Sequence, residues 1–206
     1  MEEWNYKEHY KLRLKEIGSK ETKKDQVIIV GDSIIERFDL MKFFPDLTIY
    51  NHGIRGDETP DLLDSIFRRA IKYKPKKLFI SIGTNDIGNS HNNVKDIYNN
   101  IVSIVNEVKN RSKDTEIHLV SVVPVNTANK SFIVREFVDS RDNFDINLLN
   151  YYLKNFARKN KFKFVDITKG LKNNLDQLNI EYTTDGLHLN ENGYQVFSDI
   201  LRAYVY

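Results

Sequence analysis

The sequence predicts a three-layer α/β/α sandwich around a five-stranded parallel sheet, with the flavodoxin-type strand order 2-1-3-4-5 expected. Two observations carry this reading. Five short apolar runs bounded by turn residues each have the length of a strand buried on both faces. Amphipathic stretches with three- and four-residue apolar spacing lie between them, and this alternation is what a parallel sheet with helical crossovers produces.

Taken in order, residues 1–20 are rich in charge and read as an added helix packed through Trp4, Tyr10, Leu14 and Ile17. Lys20, Lys23 and Lys24 read as a solvated linker. The strands are Val27–Val30, Leu47–Tyr50, Leu78–Ile82, Ile117–Val123 and Phe162–Val165. The first breaks at Gly31-Asp32-Ser33 into a helix. Thr59–Tyr73 places Leu62, Leu63, Ile66, Phe67, Ala70 and Ile71 on one helical face, and Asn93–Lys109 does the same with Ile97, Ile101, Ile104, Val105 and Val108. Phe144–Lys159 and Gly193–Tyr204 continue the pattern. No internal repeat or second domain is read, so the 206 residues are taken as one domain. A chain of this length buries roughly 70% of its unfolded surface without metals or staples.

Composition removes several classes of function. There is no cysteine, which excludes disulfide frameworks, thiolate metal sites and cysteine nucleophiles and fits a reducing cytoplasm. The longest apolar runs fall far short of a membrane-spanning helix, and neither a signal peptide nor a membrane anchor is expected. A net charge of +2 with interspersed signs gives no basic stripe, so no nucleic-acid partner is expected.

In open α/β sheets ligands bind beyond the carboxyl ends of the strands, near the point where strand order reverses. Six of the nine glycines stand beside polar residues in four such loops: "GDS", "NHGIRGDET", "GTNDIGN" and "TTDGLHLN". A serine hydroxyl needs a base to take its proton, and the base needs a third group to orient it. Asp185 and His188, three residues apart around Gly186, supply both. If Ser33 opens a helix, its N–H faces the place where an oxyanion forms. Gly56 offers a second donor and the Asn85 carboxamide a third. Asp32, Ile34 and Arg55 flank these groups and are the expected substrate contacts.

Taken singly these residues have plainer explanations. Gly-Asp-Ser after a strand is accounted for by helix capping, Gly56 by a positive φ, and Asn85 by a turn. His9, His52, His91 and His118 have no comparable partner and read as structural. The conjunction of four blocks in order decides. Gly31-Asp32-Ser33-Ile34, Gly56 in "GIRGDET", Gly83-Thr84-Asn85-Asp86 and Asp185-Gly186-Leu187-His188 together resemble the SGNH hydrolases, also called the GDSL lipase and esterase family. The blocks span Val27 to Gly193, and the one departure is Ile34 for the customary leucine. The resemblance implies a serine esterase or acylhydrolase without metal or organic cofactor. Ser33, Asp185 and His188 would form its triad, and Ser33, Gly56 and Asn85 its oxyanion hole. "NHGIRGDET" and "SVVPVN" further resemble the branch of platelet-activating-factor acetylhydrolase and bacterial carbohydrate esterases.

Two other classes compete. Asp32, Asp57 and Asp86 converging on one sheet edge would suit a metal-dependent phosphoesterase, but no metal-ligand spacing accompanies them, and short carboxylates also hold loops. A non-catalytic module that kept the fold is the second. The nucleophile elbow G-x-S-x-G of other hydrolases is absent. Residues 125–143 mix Phe132, Ile133, Val134, Phe137 and Val138 with charges, and they either wall the pocket or pack on a second copy, leaving a homo-oligomer open. A short acyl group on a small-molecule ester, such as O-acetyl on a carbohydrate, is favoured over the longer chains of a lysophospholipase or thioesterase.

Overall fold

The computed structural model describes residues 5–19, 23, 25–89 and 93–206. Trp4, Lys20, Lys24 and His91 lie outside these residues. The described elements are α1 (Tyr6–Ser19), β1 (Val27–Gly31), α2 (Ser33–Glu36), α3 (Leu40–Phe43), β2 (Ile49–Gly53), α4 (Thr59–Arg69), β3 (Lys77–Ser81), α5 (Thr84–Gly88), α6 (Val94–Arg111), β4 (Glu116–Val120), α7 (Arg135–Val138), α8 (Asn143–Asn160), β5 (Lys163–Val165), α9 (Thr168–Leu171) and α10 (Glu191–Val205). All strand pairs are parallel, in the order β2-β1-β3-β4-β5. This is the expected sandwich, and its switch point lies between β1 and β3.

Alternation along each strand divides the core. Ile28 and Val30 of β1, Leu78 and Ile80 of β3, and Ile117 and Leu119 of β4 face α4, α6 and α8 in one buried cluster. Ile29, Phe79, Val120 and Val165 face the other way, onto Phe38, Phe44 and the Phe197–Leu201–Val205 stripe of α10. Each such side chain contributes roughly 1.5–3 kcal/mol relative to exposure, so both faces of the sheet resist any slip in register. Helix starts follow from capping residues. Glu58 and Asp61 form a reciprocal capping box at α4, and Asn93, Asp142 and Asn190 cap α6, α8 and α10 through their side chains.

Three differences from expectation stand out beyond shifts of a few residues at other element ends. β2 runs Ile49–Gly53 rather than Leu47–Tyr50, because the Leu47 N–H turns back to the Phe44 carbonyl. The strand continues through polar Asn51 and His52, whose side chains bond to the Ile35 carbonyl at 2.6 Å and the Arg69 carbonyl at 2.5 Å. β4 stops at Val120, and α8 side chains take over the role of a neighbouring strand. Asn150 pairs with both the N–H and the carbonyl of Val122, and Asn143 does the same at Val125, all at 2.7–2.9 Å. The crossover after β1 is two four-residue helices instead of one continuous helix.

β2 is an edge strand, and α1 covers it. Arg13 donates to the carbonyls of Gly53 and Asn51, each at 3.1 Å, which occupies acceptors that would otherwise invite another strand. Ile17 is buried and Tyr10 half-buried on α4, the Tyr10 hydroxyl donating to the Asp61 carbonyl. Among the described residues no helix is long and apolar enough to cross a membrane.

Arg69, fully buried at the end of α4, reaches the carboxyl edge of the sheet. Its guanidinium donates to the Gly31 carbonyl at 2.9 Å, twice to the His52 carbonyl, and to the equally buried Asp57 carboxylate. Arg69→Met removes all of these donors and leaves the Asp57 charge unpaired, a change expected to cost about 3–5 kcal/mol of stability. Denaturant unfolding measures this, and a loss below about 1 kcal/mol would show the pair to be dispensable.

Candidate active site

The parallel register sets Gly31 beside both Gly53 and Ser81. The loops leaving β1, β2 and β3 therefore start from one rung of the sheet. Within a few residues they carry Ser33, Gly56 and Asn85. Asp32 caps α2, its carboxylate accepting the Ile34 N–H at 2.9 Å, and this places Ser33 as the first helical residue.

The base arrives from a loop that fixes itself. Thr183 Oγ1 accepts the N–H groups of Asp185 and Gly186 and donates to the His188 carbonyl at 2.9 Å. Asp185 Oδ1 accepts the N–H groups of Leu187 and His188 at 3.0 and 2.7 Å, which leaves Oδ2 for His188 Nδ1 at 2.7 Å. Gly186 sits at φ +96°, where a Cβ would lie 2.8 Å from both the Asn126 carbonyl and Val138. Only glycine closes this turn. His188 Nε2 then meets Ser33 Oγ at 3.1 Å, across 155 residues of sequence. Ser33 and His188 are both buried.

Burial pushes the Asp185 carboxyl up, but the bonds from the His188 ring and from the His188 and Leu187 N–H groups prevail and hold it at about 2. The carboxylate thus stays ionised and accepts from Nδ1–H, an arrangement that turns Nε2 toward the serine hydroxyl. Phe137 packs edge-on against the imidazole with ring centroids 5.3 Å apart. Val134 N–H donates to the Asp185 carbonyl and Asn126 N–H to the Gly186 carbonyl. Residues 125–143 therefore brace the histidine loop.

On the other side Gly56 has φ +85°, and the ring of Tyr6 from α1 lies 2.8 Å from where a Cβ would stand. The Tyr6 hydroxyl donates to Asp57 at 3.3 Å. Asn85 donates through Nδ2 to the Asp57 carbonyl at 2.9 Å, which ties the third loop to the second. Asn85 Oδ1 accepts from Arg141 Nη2 at 3.1 Å. Burial lowers the Arg141 pKa and nearby Asp32 opposes that shift. Nothing in "DSRDN" distinguishes this arginine from a solvated surface charge.

The expected substrate contacts are placed differently. Ile34 is packed in the apolar cluster with Ile29 and Phe79, and its carbonyl accepts the Tyr194 hydroxyl at 2.8 Å. Asp32 is buried as a helix cap. These two hold the nucleophile in place from below. Arg55 lies half-buried on the Gly56 loop, its backbone N–H on Glu36 at 2.5 Å. The carboxylates that suggested a metal site each bond to the protein itself: Asp32 to Ile34, Asp57 to Arg69, and Asp86 to the N–H and hydroxyl of Thr59 at the start of α4. Among the described residues no group of three His, Asp or Glu side chains is placed to hold a metal ion.

A family model described as the GDSL-like Lipase/Acylhydrolase family matches residues 29–196. The chain belongs to this family. The match takes in all four sequence blocks, and the family is named for lipase and acylhydrolase activity. A Streptococcus pneumonia structure described provisionally as a platelet activating factor is 32% identical, with a TM-score of 0.88 over 98% of this chain and 94% of that one. An acylhydrolase structure from Bacteroides fragilis shares the fold at 24% identity, with a TM-score of 0.79 over 100% and 98% of the two chains. A curated relative, the N-acylneuraminate cytidylyltransferase of Escherichia coli O18:K1:H7, is 31% identical over 177 residues. That match takes in 84% of the GDSL chain, which spans 38% of the relative's length.

Burial pushes the Asp32 carboxyl up to about 7, the Ile34 N–H opposing the shift. The ordinary carboxylate value is about 3.9, so the folded state holds this proton more tightly than the unfolded chain. The contribution of Asp32 to stability therefore rises as pH falls from about 8 to about 5. Asp57 and Asp86, each raised by burial to about 6, add slopes of the same sign, so Asp32→Asn, which keeps a capping acceptor, is expected to reduce the total slope, measured as denaturation midpoints across the range. An unchanged slope would assign it to another group.

Proposed function

We propose that the chain is a cytoplasmic serine esterase that removes a short acyl group, such as O-acetyl on a carbohydrate, through an acyl-enzyme on Ser33. The observation that carries this is the continuous hydrogen-bonded chain from Ser33 Oγ through both nitrogens of His188 to Asp185. As Oγ bonds to the ester carbonyl carbon, Nε2 takes the hydroxyl proton and Asp185 stabilises the imidazolium that results. The carbonyl oxygen becomes an oxyanion and is met by the N–H groups of Ser33 and Gly56 and by Asn85 Nδ2. Collapse breaks the ester C–O bond, and His188 returns the proton to the departing alcohol. Water, deprotonated by the same nitrogen, then attacks the acyl carbonyl; the bond from the acyl carbon to Ser33 Oγ breaks, the acid leaves, and His188 returns its proton to Oγ. The cycle needs no organic cofactor, metal or nucleic acid.

Two aromatic walls support a short acyl group: Phe137 against the His188 ring, and Tyr6 over Gly56. An apolar-walled groove of about 640 Å³ exists between α6 and α8, but its lining of Tyr98, Tyr152, Phe156 and neighbouring lysines and asparagines includes no residue of this site. The curated relative is named for an N-acylneuraminate, a sugar acid bearing an acyl group, and this favours a carbohydrate over a lipid. The absence of cysteine supports the reducing compartment.

A series of p-nitrophenyl esters of rising chain length, followed by acetylated sugars, tests the substrate class. kcat/KM is expected to be highest for acetate and to fall with each added carbon pair; a rise would favour the lysophospholipase or thioesterase alternative. Ser33→Ala is expected to abolish hydrolysis with folding intact, and a fluorophosphonate to label Ser33 alone. Labelling of another serine would move the nucleophile.

Asp185→Asn removes the carboxylate that sets the tautomer of His188 and is expected to lower kcat by a factor on the order of 10⁴. Asp185, held at about 2, stays ionised from pH 5 to 8, so the gap in kcat between the parent and Asp185→Asn should persist across that range. A gap that closes there would show that the carboxylate is not what orients the ring.

A further inference from the structure

Arg141 makes three kinds of contact at one point. Nε donates to the Thr84 carbonyl at 3.0 Å, Nη1 to the Phe137 carbonyl at 2.6 Å and Nη2 to Asn85 Oδ1 at 3.1 Å. The guanidinium lies flat against Gly88, where a Cβ would come within 2.6 Å of its central carbon. A side chain there would push the fork aside. It thus joins the loop after β3 to the segment whose Phe137 ring rests on His188.

We infer that Arg141 is the positioning residue for the oxyanion hole, locking the Asn85 carboxamide in the one orientation that aims an N–H at the reacting carbonyl. A carboxamide can turn by half a revolution and exchange its oxygen for its nitrogen. The two groups that hold Asn85 forbid this. A guanidinium has donors only, so it meets the oxygen; the Asp57 carbonyl is an acceptor only, so it meets the nitrogen. In the turned state both bonds become repulsive contacts. The NH₂ has two hydrogens, and Asp57 takes one, which leaves the second for the substrate. The cation has a further effect. By drawing density from Oδ1 it polarises the amide and strengthens Nδ2–H as a donor, and that gain grows as charge develops on the substrate oxygen. A lysine supplies the charge without the planar fork and cannot bridge three acceptors in this way.

The inference rests on the esterase reading of Ser33 and Asn85, and the test separates the two. Asn85→Ala, Arg141→Met and the double variant are compared in kcat and KM on p-nitrophenyl acetate. Asn85→Ala is expected to lower kcat roughly 10²–10³-fold. Arg141→Met is expected to lower kcat about 10- to 100-fold with KM within about 2-fold of the parent. In the Asn85→Ala background the same Arg141→Met change should cost less than about 3-fold, since no carboxamide remains to be held. Equal loss in both backgrounds would overturn the inference and assign Arg141 to packing or to substrate. Arg141→Lys carries the same comparison if Arg141→Met does not fold, with a loss that again must vanish without Asn85. Ser33→Ala is the control. Retained activity there strikes the esterase reading, whereas an inactive Ser33→Ala with additive Arg141 and Asn85 effects strikes this inference alone.

Discussion

The buried pair of Arg69 and Asp57 is the constraint on which the catalytic edge depends. A parallel sheet ends with carbonyls that have no further strand to meet, and at this edge they lie beneath loops rather than in water. Arg69 answers for Gly31 and His52 together, at the ends of β1 and β2. The charge it brings requires Asp57, and Asp57 sits next to Gly56. A demand created by strand termination thereby fixes the loop that carries Gly56. Replacing a buried pair by apolar groups is often neutral elsewhere. Here the two side chains also anchor backbone from two strands and the loop: an apolar substitute would leave the Gly31 carbonyl with the Ile54 N–H alone and take both guanidinium donors from the His52 carbonyl.

The same logic repeats outward from that pair. Asp57 offers its carbonyl to Asn85 and its carboxylate to Tyr6 of α1. Asp86, next to Asn85, takes the N–H and hydroxyl of Thr59, and Asn100 of α6 donates to that hydroxyl. Neighbouring residues in each loop divide the work, one facing the chemistry and the next bonding the protein. This is why three acidic side chains crowd the site with their carboxylates bonded to the protein.

Much of this was legible in the sequence, for identifiable reasons. Strand and helix order follow from apolar period, and strands buried on both faces, such as Val27–Gly31, have no polar interruption to obscure them. Asp185 and His188 were readable because their partnership is local: three residues, one glycine, one turn. β2 was misplaced because Asn51 and His52 look like loop residues until their distant partners on Ile35 and Arg69 are known. The end of β4 was hidden by asparagines on a helix that imitate a strand. Ile34, beside Ser33 in sequence, packs into the core, because a helix turns successive residues to different sides and neighbours in sequence do not share a face. Arg141 carried no local signal, since its partners Thr84 and Asn85 lie more than fifty residues away.

The triad's long join raises a separate question of assembly. Asp185 and His188 form their geometry within one loop, and His188 meets Ser33 across 155 residues of sequence. A single hydrogen bond of 3.1 Å between a hydroxyl and an imidazole contributes roughly 0.5–1.5 kcal/mol net and cannot by itself hold two loops in register. Tyr194 does so beneath them. It belongs to α10, which begins three residues after His188, and its hydroxyl donates to the Ile34 carbonyl within α2 while its ring stacks on Phe38 with centroids 5.0 Å apart. Phe38 in turn packs on Phe197 of the same helix. The apolar core therefore docks α10 against α2, and the docking brings base and nucleophile to bonding distance before any substrate arrives. Catalytic geometry at the surface of this sheet is set by aromatic packing below it, with the hydrogen bonds of the triad reporting that alignment rather than creating it.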